Sequence, residues 1–351
     1  MTTRTRAASS AARPNVTIND VARAAGVGRQ TVSNVLNGSG RVGAAARARV
    51  LDAVAELGYH PHQGARSLRS RRTMQLGYLM PQIQLQPSNL IMMQFLQSLV
   101  AAGAEHHYRV VVLAHQDDPR DEIRRLIASR SVDAFVLSEL QLGDPRVELL
   151  CELGVPFACF GRTRPELPQR WADIDNAAAE AAVVQHILGR GYTRPGYVGY
   201  GSGTYWDLAR EAGFRAGLAS YGIAGSGAGV LQIDDDAGAR AQIRAFISSA
   251  RPDAVLTGSD KIAAIVYGVA AELNLRVGRD LAVTGFDGSI GAGLLHPRLT
   301  SVVIPVNDIA RRVVGRILRQ LDHESDAGPG EILPAALVPG ESTSPHADPE
   351  P

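Results

Sequence analysis

Five polar side chains within residues 29–34 carry donor and acceptor groups that can pair with the edges of nucleic-acid bases. An arginine donates two parallel hydrogen bonds to guanine, and glutamine or asparagine pairs in the same way with adenine. Arg29, Gln30 and Asn34 supply these groups, with the hydroxyls of Thr31 and Ser33 between them. On a helix, they fall at the N-terminal end, where a recognition helix reads the major groove. The segment therefore predicts a DNA contact, provided that a helix starts near residue 29.

The preceding residues contain the signals that would position such a helix. Thr17 is a good N-cap residue, and Asp20 three positions later can complete a capping box, so a first helix is expected to begin here. Gly26 is expected to end that helix in a tight turn. The apolar face of the first helix is assigned to Val21, Ala24 and Ala25.

Two further helices are predicted after the turn. The second starts near Gly28 or Arg29 and ends at the sequence NGSG. The third runs from Ala44 to about Leu57. The residues expected to point into a common core are Val32 and Val35 or Leu36 from the second helix, and Val50, Val54 and Leu57 from the third. Two short helices, a glycine turn and a supporting third helix describe a helix-turn-helix, although the pattern alone also suits a generic three-helix bundle.

The distribution of charge favours the DNA-binding interpretation. The chain has 351 residues and a net charge of +1, but residues 1–73 hold twelve arginines and only three acidic residues, a net charge of +9. The remainder carries a net charge of −8. A basic head on an acidic body indicates that the head meets a polyanion and that the body has another task.

The segment VTINDVARAAGVGRQTVSNVLN resembles the DNA-binding headpiece of the LacI/GalR family of bacterial regulators, whose pattern is V-T-x-x-D-V-A-x-x-A-G-V-S-x-x-T-V-S-x-V-L-N. The resemblance implies a sequence-specific transcriptional regulator, most often a repressor, and the predicted DNA contacts extend to Thr17, Asn37 and Tyr59. Gly28 departs from the pattern, because it replaces the serine that caps the recognition helix, and glycine offers no side-chain oxygen.

The segment LGYHPHQGARSLRSRRT resembles the hinge of the same family, Y-x-P-N-x-x-A-R-x-L. The resemblance implies that residues 61–73 form a hinge helix on the operator and that Leu68 wedges into the minor groove. An apolar wedge unstacks bases and bends the duplex, and arginines such as Arg66 on phosphates offset the cost. Two departures affect the folding of this helix: His62 replaces the asparagine, and Gly64 lowers helix propensity by about 1 kcal/mol.

Beyond residue 73, short apolar strands alternate with amphipathic helices, which predicts parallel, doubly wound α/β sheets. The length suits two such lobes, and the family resemblance implies a core like type I periplasmic binding proteins with an effector between the lobes. The predicted division is a disordered leader (1–14), a helix-turn-helix (15–60), the hinge (61–73), the core (74–340) and a disordered tail (341–351). The first lobe is assigned to about 74–174 and 306–325, and the second to about 175–304 and 330–340.

The resemblance also implies the effector-binding residues. WDLAREAGF matches the family signature R-x-x-G-F/W and VTGFDGS matches its V-x-G-[FY]-D turn, which makes Arg210 and Asp287 the effector-binding pair. Ser259 and Asp260 are placed at the mouth of the cleft. Asp287 and Ser259 each follow a predicted strand, where ligands bind in open α/β sheets. An arginine and a carboxylate can clamp the vicinal hydroxyls of a sugar.

Two of the candidate residues, Trp206 and Asp260, allow two interpretations. Trp206 lies one turn before Arg210, and it either stacks on a sugar ring or simply packs in the core. Asp260 is favoured as a helix cap over a ligand contact. Arg162 ends a first-lobe strand and is expected to face the effector.

Other functional classes have little support. No apolar run is long enough for a membrane span, no signal peptide is evident, and Cys151 and Cys159 fit reduced thiols, so we expect a cytoplasmic protein. The glycines of GYVGYGSGTYWD lack dinucleotide spacing, and no nucleophile elbow or metal motif occurs, so no enzyme, metal or cofactor is predicted. No leucine heptad follows the core, which favours a homodimer. The alternative function is a cytoplasmic sugar-binding or sugar-processing protein with an incidental basic head.

Overall fold

The computed structural model describes residues 16–36, 42–59, 72–81, 90–115, 118–223, 229–233, 236–324, 328 and 330–344. The chain divides into two compact units, Met1–Thr73 and Met74–Pro351. Several predictions fall outside the described residues: the leader, Asn37, the tail beyond residue 344, and most of the hinge with Arg66 and Leu68.

The N-terminal unit contains three helices, α1 (Ile18–Ala25), α2 (Arg29–Leu36) and α3 (Ala44–Leu57). Asp20 completes a capping box, since its carboxylate accepts hydrogen bonds from the backbone N–H of Thr17 at 3.0 Å and from its hydroxyl at 2.7 Å. Gly26 ends α1 with a φ of +62°, in the left-handed region that favours glycine. These local contacts orient α2 relative to α1, as expected for a helix-turn-helix.

The headpiece core contains Val21, Val32 and Val50, which are fully buried. Two predicted core residues are wrong: Ala24 faces solvent while Ala22 is buried, and Leu57 is 36% exposed. The inward positions of α1 and α3 are occupied by small side chains, Ala22 and Ala25 on α1 and Ala53 on α3. The third inward position on α3 is taken by Ala53, together with Tyr59 just beyond the helix.

The first lobe is a six-stranded sheet in the order β11-β5-β4-β3-β1-β2, and every pairing in it is parallel. Its strands are β1 (Gln75–Pro81), β2 (Arg109–His115), β3 (Ala134–Leu137), β4 (Phe157–Phe160), β5 (Trp171–Ile174) and β11 (Gly330–Leu333). Its helices are α4 (Leu90–Glu105), α5 (Pro119–Ala128), α6 (Pro145–Leu153) and α11 (Val306–Leu321).

The second lobe is a six-stranded sheet in the order β12-β10-β9-β8-β6-β7, parallel except for the antiparallel β12. Its strands are β6 (Pro195–Tyr200), β7 (Gly229–Ile233), β8 (Ala254–Thr257), β9 (Ala282–Asp287), β10 (Thr300–Val303) and β12 (Ala336–Val338). Its helices are α7 (Asn176–Gly189), α8 (Tyr205–Ser220), α9 (Asp236–Ala250) and α10 (Asp260–Glu272), with 3-10 turns at Ile290–Leu294 and Glu341–Thr343. The predicted fold, a helical headpiece with two doubly wound α/β lobes, is confirmed.

Two predictions about the C-terminal region are wrong. Residues 330–333 were assigned to the second lobe, but they form β11, which pairs with β5 of the first-lobe sheet. Residues 341–344 were assigned to a disordered tail, but Ser342 is fully buried. Its hydroxyl donates to the carbonyl of Val283 at 2.6 Å and accepts from the backbone N–H of Thr300 at 2.8 Å. A polar segment is ordered here because distant backbone satisfies its hydroxyl.

The structure bears on two further expectations, which concern the cysteines and the membrane. Cys151 and Cys159 are free thiols, and burial raises the pKa of both, most strongly that of Cys159. Within the described part of the chain, the helices are all too short or too polar to cross a bilayer.

Candidate DNA-reading helix and inter-lobe cleft

The outer face of α2 presents the predicted base-reading residues. Arg29 and Gln30 are exposed, whereas Thr31, Ser33 and Asn34 are half-buried. The amide of Gln30 donates to the side-chain oxygen of Asn34 at 3.0 Å, so these two side chains lie next to each other on the helix surface. A polar face is thus available at the N-terminal end of α2, as base recognition requires.

The start of α2 lacks a side-chain cap. The carbonyl of Gly28 accepts from the backbone N–H groups of Thr31 at 2.9 Å and Val32 at 3.2 Å, which sets the first turn. A Cβ added at Gly28 would meet nothing within 4 Å, so a larger residue fits there.

Two predicted DNA contacts at the ends of the headpiece have internal roles. Thr17 caps α1 through Asp20, as described above. Tyr59 is only 6% exposed and belongs to the headpiece core, and its predicted DNA contact stays a prediction. The ring of Tyr59, just after α3, packs in this core together with its small side chains.

The cleft of the second unit is organised around Arg210 of α8, which is 5% exposed. Its Nε donates to the side-chain oxygen of Asn176 at 2.9 Å, and its Nη1 donates to the carbonyl of Gly258 at 2.6 Å and to Asp287 at 3.3 Å. Among the described residues, no acceptor for Nη2 is found. Arg210 is therefore fixed by three partners and keeps donors for a ligand.

Aromatic rings cover Arg210 on its flat faces. The centroid of Phe286 lies 3.6 Å from the guanidinium carbon, and that of Trp206 lies 4.5 Å from it. Gly213, the glycine of the R-x-x-G-F signature, allows α8 to pack against α7, because a Cβ there would collide with the backbone of Ala177. Cation–π contacts and this packing hold the guanidinium in one orientation.

Asp287 ends β9 and has a φ of +112°, which is unusual for a residue other than glycine. Its carboxylate meets Arg210 in a buried ion pair. Burial raises the pKa of Asp287, with smaller contributions in the same direction from Asp260 and Glu139, and Arg210 opposes the shift. Such backbone strain is found at functional sites held in place by their surroundings.

Ser259 and Asp260 support the cleft from within the second lobe. Ser259 is the N-cap of α10, and its hydroxyl also lies 3.0 Å from that of Tyr200. Asp260 accepts from the backbone N–H of Ser289 and from the hydroxyl of Ser301, both at 2.6 Å. Both carboxylate oxygens of Asp260 thus hold the turn after β9. Ser259, and not Asp260, is the cap, which corrects that prediction, while the predicted effector contact of Asp260 stays a prediction.

Trp206 takes a position that neither of its two interpretations anticipated. Its indole N–H donates across the lobes to Glu139 at 3.3 Å, and its ring lies edge-on to Tyr200 at 6.0 Å. Glu139 follows β3 in the first lobe with a φ of +53°. Glu139 was not predicted, although a charged residue two positions after a buried strand was a usable signal.

Arg162 pairs with groups of the first lobe and lies beside Tyr205 of the second, and its predicted contact with an effector stays a prediction. Its Nε donates to Asp173 at 2.9 Å, and its Nη2 donates to the carbonyl of Ile174 at 3.2 Å. The rings of Trp171 and Tyr205 lie 4.9 and 4.8 Å from the guanidinium carbon. Its charge is therefore paired, and most of its side-chain surface is covered by other residues.

A chain of polar contacts joins the two lobes beneath the cleft. Asp173, the ion-pair partner of Arg162, also accepts from the amide of Asn176 at 3.3 Å, and Asn176 in turn accepts from Arg210. A movement of Arg210 can therefore displace Asn176 and, through it, Asp173 of the first lobe. Neither Asn176 nor Asp173 was predicted, because the contact depends on how α7 begins after β5.

A second inter-lobe contact lies at the entrance to α8. The backbone N–H of Tyr205 donates to the carbonyl of Leu140 at 3.1 Å, and Gln141 forms a bridge with Thr204. Asp207 holds this loop by accepting from the backbone N–H groups of Tyr200 at 3.2 Å and Ser202 at 3.1 Å. No group of metal-ligating side chains occurs among the residues with defined positions.

Comparison with known proteins agrees with this architecture. Residues 17–62 match the model of bacterial regulatory proteins of the lacI family, and residues 184–343 match a periplasmic binding protein-like domain. The HTH-type transcriptional regulator AglR of Rhizobium meliloti (strain 1021) is 30% identical over 353 residues, covering 96% of each chain. CelR of Thermobifida fusca is 29% identical over 335 residues, covering 93% of this chain and 98% of CelR.

Two solved structures share the fold. A CelR–cellobiose complex has 28% identity and a TM-score of 0.72, covering 94% of this chain and all of that one. The Lac repressor dimer bound to operator and the anti-inducer ONPF has 23% identity and a TM-score of 0.83, covering 94% and 99%. With its helix-turn-helix and its two-lobed core, the chain belongs to the lacI family of bacterial regulatory proteins and is a DNA-binding transcriptional regulator.

Proposed function

We propose that the protein is a repressor that binds a pseudo-palindromic operator as a homodimer and releases it when a sugar binds between the lobes. The observation that carries this proposal is the buried pair of Arg210 and Asp287, because Nη2 of Arg210 keeps hydrogen-bond donors with no acceptor among the described residues. The CelR relative was solved with cellobiose, and another relative is a sucrose operon repressor, 27% identical over 330 residues.

The chemistry of the pair suits a polyhydroxylated ligand. A guanidinium donates and a carboxylate accepts, so together they can hold two neighbouring hydroxyls of one ring. The indole of Trp206 supplies an apolar surface beside them. A sugar bound here would displace or strengthen the contact between Trp206 and Glu139, which joins the two lobes.

On the DNA side, Arg29, Gln30 and Asn34 are proposed to read the major groove, with Thr31 and Ser33 beside them. Leu68 and Arg66 are proposed to act in the minor groove as wedge and phosphate contact. Leu68→Ala should therefore weaken specific binding far more than non-specific binding, as measured by fluorescence anisotropy on operator and on scrambled DNA. Equal losses on both DNAs would assign Leu68 to packing.

An apolar patch in the second unit supports the homodimer. Ile290 and Leu294 are 80% and 74% exposed, and Leu90 is also exposed. A Cβ at Gly291 would lie 3.0 Å from Leu90, so the patch continues from one lobe to the other. A dimer joined across both lobes would couple lobe closure to the spacing of the two headpieces. Ile290→Glu should yield monomers in analytical ultracentrifugation, and a persistent dimer would exclude this surface.

The complete proposal is tested by DNA selection followed by sugar release. The full-length protein would be used to select fragments of genomic DNA, and the selected fragment would then be titrated with a panel of sugars in the cytoplasmic range of salt. We expect steep loss of affinity as salt rises and dissociation by at least one sugar. Selection of no specific sequence would refute the DNA-reading role, and specific binding that no sugar alters would refute the effector role alone.

A further inference from the structure

Carboxyl groups outnumber guanidinium groups around the cleft. Glu139 from the first lobe and Asp287 from the second both lie near the guanidinium of Arg210, and Glu139 raises the pKa of Asp287. Asp207 and Asp260 also lie near Arg210. Of the other two arginines near this point, Arg162 pairs with Asp173 at 2.9 Å, and Arg146 pairs with Asp144 at 2.7 Å while its Nη1 has no hydrogen-bond partner among the described residues. An added negative charge would therefore meet several acidic groups and few cationic ones.

Glu139 has the geometry of a ligand-binding group. Its Oε2 accepts from the indole of Trp206, and no donor to Oε1 is found among the described residues. Arg146 fixes the backbone at this point by donating to the carbonyl of Glu139 at 3.2 Å. Burial raises the pKa of Glu139, and the nearby guanidinium of Arg210 and the indole N–H of Trp206 oppose that shift. A held carboxylate with a free oxygen is a specific acceptor.

We propose that Glu139 is a specificity-determining residue, which makes the cleft select an uncharged sugar and reject sugar phosphates and sugar acids. This inference rests on the proposed sugar effector. A neutral hydroxyl donates to the free oxygen of Glu139, while Arg210 and Asp287 hold hydroxyls from the opposite wall. An anionic substituent instead adds a negative charge beside Glu139 and Asp287, two carboxyl groups whose pKa values burial already raises, so the site disfavours a further negative charge.

The experiment compares each neutral sugar with its anionic counterpart on the full-length protein by isothermal titration calorimetry. The pairs are glucose with glucose 6-phosphate, and cellobiose with cellobionate. We expect the anionic member of a binding pair to bind about tenfold more weakly or worse. In Glu139→Gln the amide oxygen can still accept from Trp206, so the fold is kept while the charge is removed, and the ratio should fall to about threefold or less.

Glu152→Gln is the matched control, because it removes one exposed carboxylate from the same lobe and should leave the ratio unchanged. Tighter binding of an anionic sugar, or an unchanged ratio in Glu139→Gln, would overturn the role of Glu139 and leave the sugar effector standing. If none of the four sugars binds a preparation that still binds its selected DNA, both the sugar effector and this inference are overturned.

Discussion

The two proposed binding surfaces of this protein differ in how their side chains are held. The proposed base-reading side chains of α2 are exposed or half-buried, and the contact between Gln30 and Asn34 lies on the surface. In the cleft, Arg210 and Asp287 are buried. Arg210 has three hydrogen-bonded partners, and two aromatic rings lie against its guanidinium. DNA is a polyanion that attracts basic side chains over long distances, whereas a small uncharged ligand offers only short-range hydrogen bonds. The second kind of partner needs groups that are fixed in advance.

The difference has an energetic consequence. Carboxyl groups that are buried before any ligand binds have lost contact with water, which disfavours their charged form. The pKa values of Glu139, Glu180 and Asp287 are therefore all raised. A substitution in the cleft should therefore alter folding as well as ligand response. A substitution on α2 should alter DNA affinity and leave folding nearly unchanged.

The largest effect is expected for Arg210→Ala. The change removes the cationic partner of Asp287 and the hydrogen bonds that Arg210 donates to Asn176 and Gly258, so we expect a loss of about 3–5 kcal/mol in the free energy of unfolding. Urea denaturation of the two-lobed unit measures it. Arg215→Ala on the same helix is the control, because its side chain is 63% exposed and pairs only with Glu211; its cost should stay below about 1 kcal/mol. Similar costs for the two variants would contradict the buried network.

The next effect is the pH dependence caused by Glu180. Its side chain is buried, its Oε1 has no hydrogen-bond partner, and burial raises its pKa to about 8. The folded state thus keeps a proton that the unfolded state loses above about pH 4.5, so this residue lowers stability by about 1.4 kcal/mol per pH unit as the pH rises from 4.5 to 8. Glu180→Gln should remove that slope from melting curves recorded between pH 5 and 8.

The control for this measurement is again Glu152→Gln, which removes an exposed carboxylate from the first lobe. Other buried acids shift in the same direction as Glu180, so the variant should reduce the pH dependence without abolishing it. An unchanged slope in Glu180→Gln would show that Glu180 is ionised in the folded protein.

A smaller effect is expected on the exposed surface. Arg29→Ala should weaken specific operator binding by about 1–3 kcal/mol, because a bidentate base contact is lost, while the melting temperature of the headpiece stays the same. Arg23→Ala is the matched control: it removes one exposed arginine from α1, where its partner is Asp20. It should lower affinity for all sequences equally. An equal loss of specificity in both variants would remove Arg29 from the reading face.

The two regions also differ in how much of them the sequence predicts. The helix-turn-helix depends on local signals, such as the Thr17–Asp20 capping box and the turn at Gly26, so its helices begin and end close to the predicted residues. The apolar runs likewise predict most central strands of both lobes. The strands β11 and β12 were missed because they are short and pair with β5 and β10, which lie far before them in the chain.

The cleft shows the same limit at the level of single residues. Arg210 and Asp287 were identified through short motifs, but the motifs do not say that the two side chains meet. The ion pair between Arg162 and Asp173, and the contact between Trp206 and Glu139, depend on which way side chains point after the lobes have packed. No local pattern encodes those directions.

The smallest expected effect concerns the start of the reading helix. Gly28 precedes α2 without a side-chain cap, and a serine there has room and can accept from the backbone N–H of Gln30 or Thr31. Gly28→Ser should stabilise α2 by a few tenths of a kcal/mol and slow hydrogen exchange of these amides about twofold. The same substitution two residues earlier is the control: Gly26 has a φ of +62°, so Gly26→Ser should accelerate exchange. If both variants change the hydrogen-exchange rate in the same direction, the backbone conformation at residue 28, and not the missing side-chain cap, determines the stability of α2.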